Sequence, residues 1–151
     1  MNVNRISALD AIPFSIRLAD WHVDQVLLSG VRRTVFIQEQ GIPEALEWDE
    51  DDAIATHILA LDIDGNAVGT ARLLADGYIG RVAVLKNWRG KGVGSGLLKY
   101  LIILNKNKGG RAAQLSAQVR AMPFYARHGF VAEGATYLDA DIPHRMMRLE
   151  Y

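Results

Sequence analysis

Between residues 78 and 106 the chain runs from an alternating apolar stretch, YIGRVAVL, through NWRGKGVGSG into an amphipathic segment. Glycine stands at 90, 92, 94 and 96. A glycine costs a helix about 1 kcal/mol relative to alanine, so four of them where a helix begins need a reason. Either the segment is a glycine turn of purely structural use, or something must approach this backbone closely. The helix that follows places Val93, Leu97, Leu98, Leu101 and Leu104 on one face and stops at Lys108-Gly109-Gly110. A buried strand that leads through glycines into a helix N-terminus offers unpaired N–H groups and the positive end of the helix dipole to an anion. Arg89 and Lys91 add charge beside it.

The rest of the chain alternates helical and strand periods. FSIRLA (14–19) predicts a strand, and Asp20 a helix N-cap before WHVDQVLLSGVRRTVFIQEQ. There Val23, Val26, Leu27, Val31, Val35 and Phe36 recur at helical spacing, and Gly30 is expected to split or kink the segment. The acidic run PEALEWDEDD (43–52) reads as a loop. THILALDIDGNAVGTARLLADGYIGRVAVL predicts a three-stranded meander with tight turns at Asp64-Gly65-Asn66 and Ala75-Asp76-Gly77. RAAQLSAQV reads as a buried strand, MPFYARH as a short helix closed by Gly129, and HRMMRLEY as a last strand. The sum is a mixed α/β chain whose 151 residues suit one domain spanning 1–151.

Lys plus Arg and Asp plus Glu both number 17, so no global field points to nucleic acid or to a membrane surface. The chain has no cysteine, which removes disulfides, zinc–thiolate sites and a thiol nucleophile. No run of His and carboxylates has ligand spacing, so no metal is expected. The start, MNVNRISALDAIPF, lacks the pattern of a secretory signal, and no apolar run is long enough to span a bilayer. A cytoplasmic location is the expectation. A Walker A loop would place its lysine and a Ser/Thr after the last glycine, and a dinucleotide fingerprint would space its glycines differently. The loop fits neither.

What does fit is R-x-x-G-x-G, formed by Arg89, Gly92 and Gly94. With IGRVAVLKNWRGKGVGSGLL before the helix and AMPFYARHGF at 121–130, this resembles the GNAT superfamily of acyl-CoA-dependent N-acetyltransferases. VFIQEQGIP, DDAIATHILALD and DIPHRMM are similar to its YjcF-like branch, and together the matches cover most of residues 30–147. The resemblance implies a GNAT-type α+β fold: a central mixed, mostly antiparallel sheet of about six to seven strands, flanked by about four helices. The CoA cleft would lie between strands four and five. It implies acetyl-CoA as acyl donor, held at the pyrophosphate by Arg89, Gly90, Lys91, Gly92, Val93, Gly94 and Ser95, with Phe124 and Tyr125 beside it. Val82, Ala83 and Val84 would pair with the pantetheine arm as a strand edge, and an N–H there would polarise the thioester carbonyl. Tyr125 matches the tyrosine that protonates the leaving thiolate; the competing reading is a core tyrosine with a satisfied hydroxyl. Seven positions earlier, where many members carry asparagine, this chain has Gln118, a longer amide with the same donor and acceptor groups.

The acceptor is expected to be a small-molecule amine or a peptide, and its ammonium must lose a proton before attack. Glu39, His57 and His144 are the candidate bases, against the plainer readings of a solvated helix-end charge and hydrogen-bonded structural histidines. His22 and His128 read as surface positions. The acids Glu44, Glu47, Asp49, Glu50, Asp51 and Asp52 either draw a cationic amine or form a solvated loop, and Trp48 either lines the acceptor side or anchors that loop. Rival classes are a catalytically silent CoA-binding regulatory module and a nucleic-acid binder using Arg89, Lys91, Lys99, Lys106 and Lys108, which the neutral balance speaks against. The resemblance also makes a homodimer an expectation.

Overall fold

The computed structural model describes residues 13–151; the reading of the first twelve residues as no secretory signal lies outside them. β1 (Phe14–Ala19), β2 (Thr56–Asp62), β3 (Ala67–Leu73) and β4 (Ile79–Val84) form an antiparallel sheet in sequence order. β5 (Ala112–Gln118), β6 (Val131–Asp139) and β7 (Ile142–Glu150) form a second antiparallel sheet in the order β5-β7-β6. The sheets meet at one parallel bridge, Tyr78 to Gln114, where the Gln114 N–H donates to the Gly77 carbonyl at 3.1 Å. Beyond it β4 and β5 are not paired with each other. The mixed character of the sheet resides in that bridge.

The helix after the glycine loop, Val93–Asn107, packs against both halves. Val93, Leu97, Leu98 and Leu101 are buried in one cluster with Ile58 and Val68 of the first sheet and Leu115, Ala117 and Met147 of the second. Burying such side chains supplies about 1.5–3 kcal/mol each. Gly69 permits the approach: a Cβ there would lie 3.0 Å from Val93 Cγ1 and 3.2 Å from the Ala83 carbonyl.

The other helices are Gln25–Arg32, Glu44–Glu47 and Met122–Arg127; in chain order the four are α1, α2, α3 (Val93–Asn107) and α4. α1 passes through Gly30 without a break and changes at Arg33 into a π-helical segment that ends at Glu39. The expected split at Gly30 is therefore absent, because that residue faces open space and its neighbours keep the ladder. Asp20 caps a turn rather than α1, its carboxylate accepting from the His22 and Val23 N–H groups at 2.8 and 3.0 Å. With the helix starting later, Leu28, Val31 and Val35 form the buried stripe, while Val23 and Val26 are more than four-fifths exposed. β6, which the hydrophobic pattern did not indicate, is exposed along most of its length. It turns into β7 through Ala140 and Asp141, both at positive φ.

The acidic stretch is no loop. α2 and a short 3-10 turn over Glu50–Ala53 fold it back onto α1, and a reciprocal capping box between Asp49 and Asp52 fixes the turn.

Candidate active site

The gap between β4 and β5 opens into a cleft of about 640 Å³. Its β4 wall is a strand edge by construction. The Leu85 N–H donates to the Val68 carbonyl, and N–H direction alternates along a strand, so Val82 and Val84 turn theirs away from β3 and toward the gap. Ala83 sits opposite Thr70 in the paired direction, so its N–H is spent within the sheet. A register shift between Thr70 and Arg72, with Arg81 at φ 51°, bends β4 at the inner end of this wall.

At the outer end lies the glycine loop. Gly90 and Gly92 take φ of 75° and 86°, which glycine adopts without strain, and no atom lies near the Cβ either would carry. Gly94 and Gly96 serve packing instead: a Cβ at 94 would sit 3.4 Å from the Phe124 ring, and one at 96 would sit 2.9 Å from Ile16 Cδ1. Two of the four glycines shape the turn and two admit neighbours. The first bond into α3 runs from the Gly96 N–H to the Gly92 carbonyl. From Gly90 through Ser95, no described residue accepts from the backbone N–H groups. Val93 contributes only that N–H, since its side chain is 1% exposed. Lys91 is exposed beside them.

Arg89 departs from expectation. Its guanidinium grips Glu39 with two bonds of 2.6 and 2.8 Å, and its Nε donates to the Val84 carbonyl. The side chain thus ties the loop to the π-helical segment rather than extending over the unpaired N–H groups. The same pair bears on Glu39, which lines the cleft: the Arg89 hydrogen bonds hold its carboxyl below the usual range, which disfavours proton uptake there. The reading of His57 is corrected. It is 2% exposed, stacks on Trp21 with ring centroids 5.1 Å apart, and bonds through Nε2 to the Asp52 carbonyl, away from the cleft. Burial pushes its imidazole below the ordinary value.

On the β5 side Gln118 donates to the Gln40 side chain at 2.8 Å and accepts from Arg120, so its amide spans toward the π-helical segment. Phe124 and Tyr125 reach the cleft from α4, their rings edge to face at 5.1 Å. No described residue bonds to the Tyr125 hydroxyl, and among the described residues no buried side-chain oxygen or nitrogen lacks a partner. That hydroxyl is therefore open to the cleft. The surrounding apolar groups push its pKa up to about 12. His144 also lines the cleft, while His128, read as a surface residue, is half-buried and meets Ser95 Oγ at 3.0 Å.

Beneath the inner end sits a group that sequence reasoning did not assemble. Arg32, 1% exposed, bonds Glu47 at 2.8 Å and Asp52 at 2.6 Å; Arg72 bonds Asp49 and Asp52. Arg81 bonds the Glu47 carbonyl and Asp49. Trp48 lies over Arg32 at 5.0 Å, so it anchors this network. Three of the acids read as solvated or substrate-attracting are thus paired with arginine in this network, and a fourth, Glu44, pairs with Arg33 at the surface. The spacing gave only one signal, apolar Leu28 and Val31 flanking an arginine on a helix that must bury that face. Among the described residues, no group of three or more His, Cys, Asp or Glu is placed to hold a metal ion, and no helix is long and apolar enough to cross a membrane.

Residues 21–151 match the family described as Acetyltransferase (GNAT) domain. An uncharacterized N-acetyltransferase of Bacillus subtilis (strain 168), YjcF, is 39% identical over 121 residues, covering 78% of this chain and 86% of the relative. An acyl-CoA N-acyltransferase from Pseudomonas aeruginosa superposes with a TM-score of 0.78 at 31% identity, over 92% of this chain and 99% of its own. The PaiA N-acetyltransferase from Thermoplasma acidophilum, solved in complex with coenzyme A, shares the fold at a TM-score of 0.70 and 19% identity, over 93% of this chain and 100% of its own.

Proposed function

From the premise that this chain belongs to the GNAT acetyltransferase family, we propose that its cleft binds acetyl-CoA and that the acetyl group passes directly to a primary amine in a ternary complex. One observation carries the reading. An unpaired strand edge (Val82, Val84), unpaired N–H groups (Gly90, Gly92, Gly94, Ser95) and an unpartnered phenol (Tyr125) belong to residues that line one cleft. A free strand edge, free N–H groups at a helix head and a free phenol along one cleft together fit one ligand that carries amides, phosphates and a leaving thiolate. The coenzyme A held by the PaiA relative is consistent with this.

In this reading Gly90 to Ser95 supply N–H donors to the pyrophosphate at the head of α3, and Lys91 adds charge. Val82 and Val84 offer main-chain bonds to the amides of the pantetheine arm. Tyr125 gives its proton to the departing thiolate. A phenol near 12 stays protonated throughout neutral pH. The same apolar surroundings raise the basicity of a thiolate formed beside it, which offsets the mismatch. The chain is accordingly an acyltransferase, acting on a small-molecule amine or a peptide.

Calorimetric titration with acetyl-CoA tests this reading. Wild type should bind, and Lys91→Glu, which alters an exposed side chain and no packing, should weaken binding by about tenfold through charge alone. A folded wild type that does not bind acetyl-CoA would make the loop architecture only. Binding without acetyl transfer to any amine would favour the silent regulatory module.

A further inference from the structure

We propose that His144 is the group that takes the proton from the acceptor ammonium, at the end of the cleft bounded by the β6–β7 hairpin. The inference rests on the acetyltransferase reading. His144 lies on β7 directly between Gln118 of β5 and Tyr137 of β6 in the strand register. Its ring stacks on Tyr137 with centroids 6.1 Å apart and planes 22° apart. Tyr137 is itself fixed, its hydroxyl meeting Ser116 Oγ and the Met146 sulfur. His144 Nδ1 lies 2.7 Å from the Ile142 carbonyl. A carbonyl only accepts, so Nδ1 carries the proton and Nε2 holds the lone pair.

Nε2 has no partner among the described residues, yet among them no buried side-chain nitrogen is left unpaired, so this atom has access to the cleft that His144 lines. A ring held by stacking and by one nitrogen, with the basic nitrogen left open, is what a proton acceptor requires. The other groups that share this cleft are unsuited. Glu39 is held by Arg89, and Glu47 by Arg32 and Arg81. Asp139 on β6 is exposed, and Tyr78, ahead of β4, is pushed further from neutrality by burial. Arg81, Arg120 and Arg127 are cations.

The step balances. Nε2 takes a proton from R–NH3+, giving imidazolium and a neutral amine. The amine nitrogen forms the C–N bond as the C–S bond breaks, and the thiolate takes the Tyr125 proton. The second amine proton and the imidazolium proton pass to solvent, which restores Tyr125 and leaves one proton released per turnover.

The test follows thiol release from acetyl-CoA with ethylamine, which is protonated at neutral pH, and with trifluoroethylamine, which is largely neutral there. His144→Asn keeps a donor near the Nδ1 position. It should retain acetyl-CoA affinity by calorimetry and lower kcat/KM with ethylamine by about 100-fold. It should also remove the acidic limb of the pH profile, while the deficit with trifluoroethylamine shrinks to a few-fold. Equal losses with both amines, or no loss with ethylamine, would overturn the assignment. If wild type acetylates neither amine, or the variant does not fold, long-range 1H–15N imidazole spectra of the wild type decide. An Nδ1–H tautomer whose Nε2 resonance moves on adding acetyl-CoA upholds the proposal, and a His144 silent to acetyl-CoA sinks it. Failure of folded wild type to bind acetyl-CoA is a separate result that removes the acetyltransferase reading and this assignment with it.

Discussion

Two polar regions lie within one fold and are treated in opposite ways. Around Arg32, the carboxylates of Glu47, Asp49 and Asp52 face three arginines, and each charged group has a partner. At the cleft, the N–H groups of Gly90 to Ser95, the Tyr125 hydroxyl and His144 Nε2 have none among the described residues. Charge density alone would have ranked the first region as the active centre, and the acidic run 44–52 tempts that reading. Partnering reverses it. A satisfied network holds a shape, whereas free donors and a free acceptor along one cleft leave room for a ligand to bond them.

Breaking the paired region should have the largest effect. Arg32→Ala takes from Glu47 and Asp52 their most buried cation, leaving only Arg81 and Arg72 beside them, and should cost about 3 kcal/mol by urea denaturation. A loss below about 1 kcal/mol would mean water reaches the network and the contrast is overstated. At the unpaired region, Tyr125→Phe should lower turnover at least about tenfold while acetyl-CoA affinity and stability hold, since only an unpartnered hydroxyl is removed. Unchanged turnover would take Tyr125 out of the chemistry.

His57 belongs to the paired region, and its titration gives a subtler test. Burial holds its folded value below the ordinary 6.5. The unfolded chain therefore takes up this proton at a higher pH than the fold does. The contribution to stability is full above 6.5 and is lost as pH falls through the lowered folded value. Urea midpoints measured across that window should fall less steeply in His57→Gln than in wild type. The smallest effect is expected at the border between the regions. Glu39→Gln breaks a half-exposed pair, should change stability by less than about 1 kcal/mol, and should leave the acidic limb of kcat/KM in place. Loss of that limb would reinstate Glu39 as the base.

How much of this could be read from the sequence follows the range of the interactions. β1, the β2–β4 meander, α3 and α4 are visible because periodicity and glycine turns are local signals. The glycine loop was legible for the same reason, although the separate duties of Gly92 and Gly96 depend on whether Ile16, eighty residues earlier, comes near. β6 escaped because both of its faces are largely exposed, so no apolar alternation marks it. The π-helical segment left no signature, and it decides where Glu39 and Gln40 point. Arg89 shows the limit most plainly. Its place in the motif was readable, but its hold on a carboxylate fifty residues away was not.

The lone rung between Tyr78 and Gln114 has a consequence for how the molecule holds together. The slot interrupts the main-chain ladder but not the apolar interior, because α3 lies across both sheets and binds them into one cluster. The opening is cut through the hydrogen-bonded layer alone. What it forgoes is a row of main-chain bonds that water can replace, while the oily layer, which water cannot replace, stays whole. α3 is thus the keel of the molecule as well as the head of its anion site, and a change that loosens its buried face would slacken both sheets and the slot together.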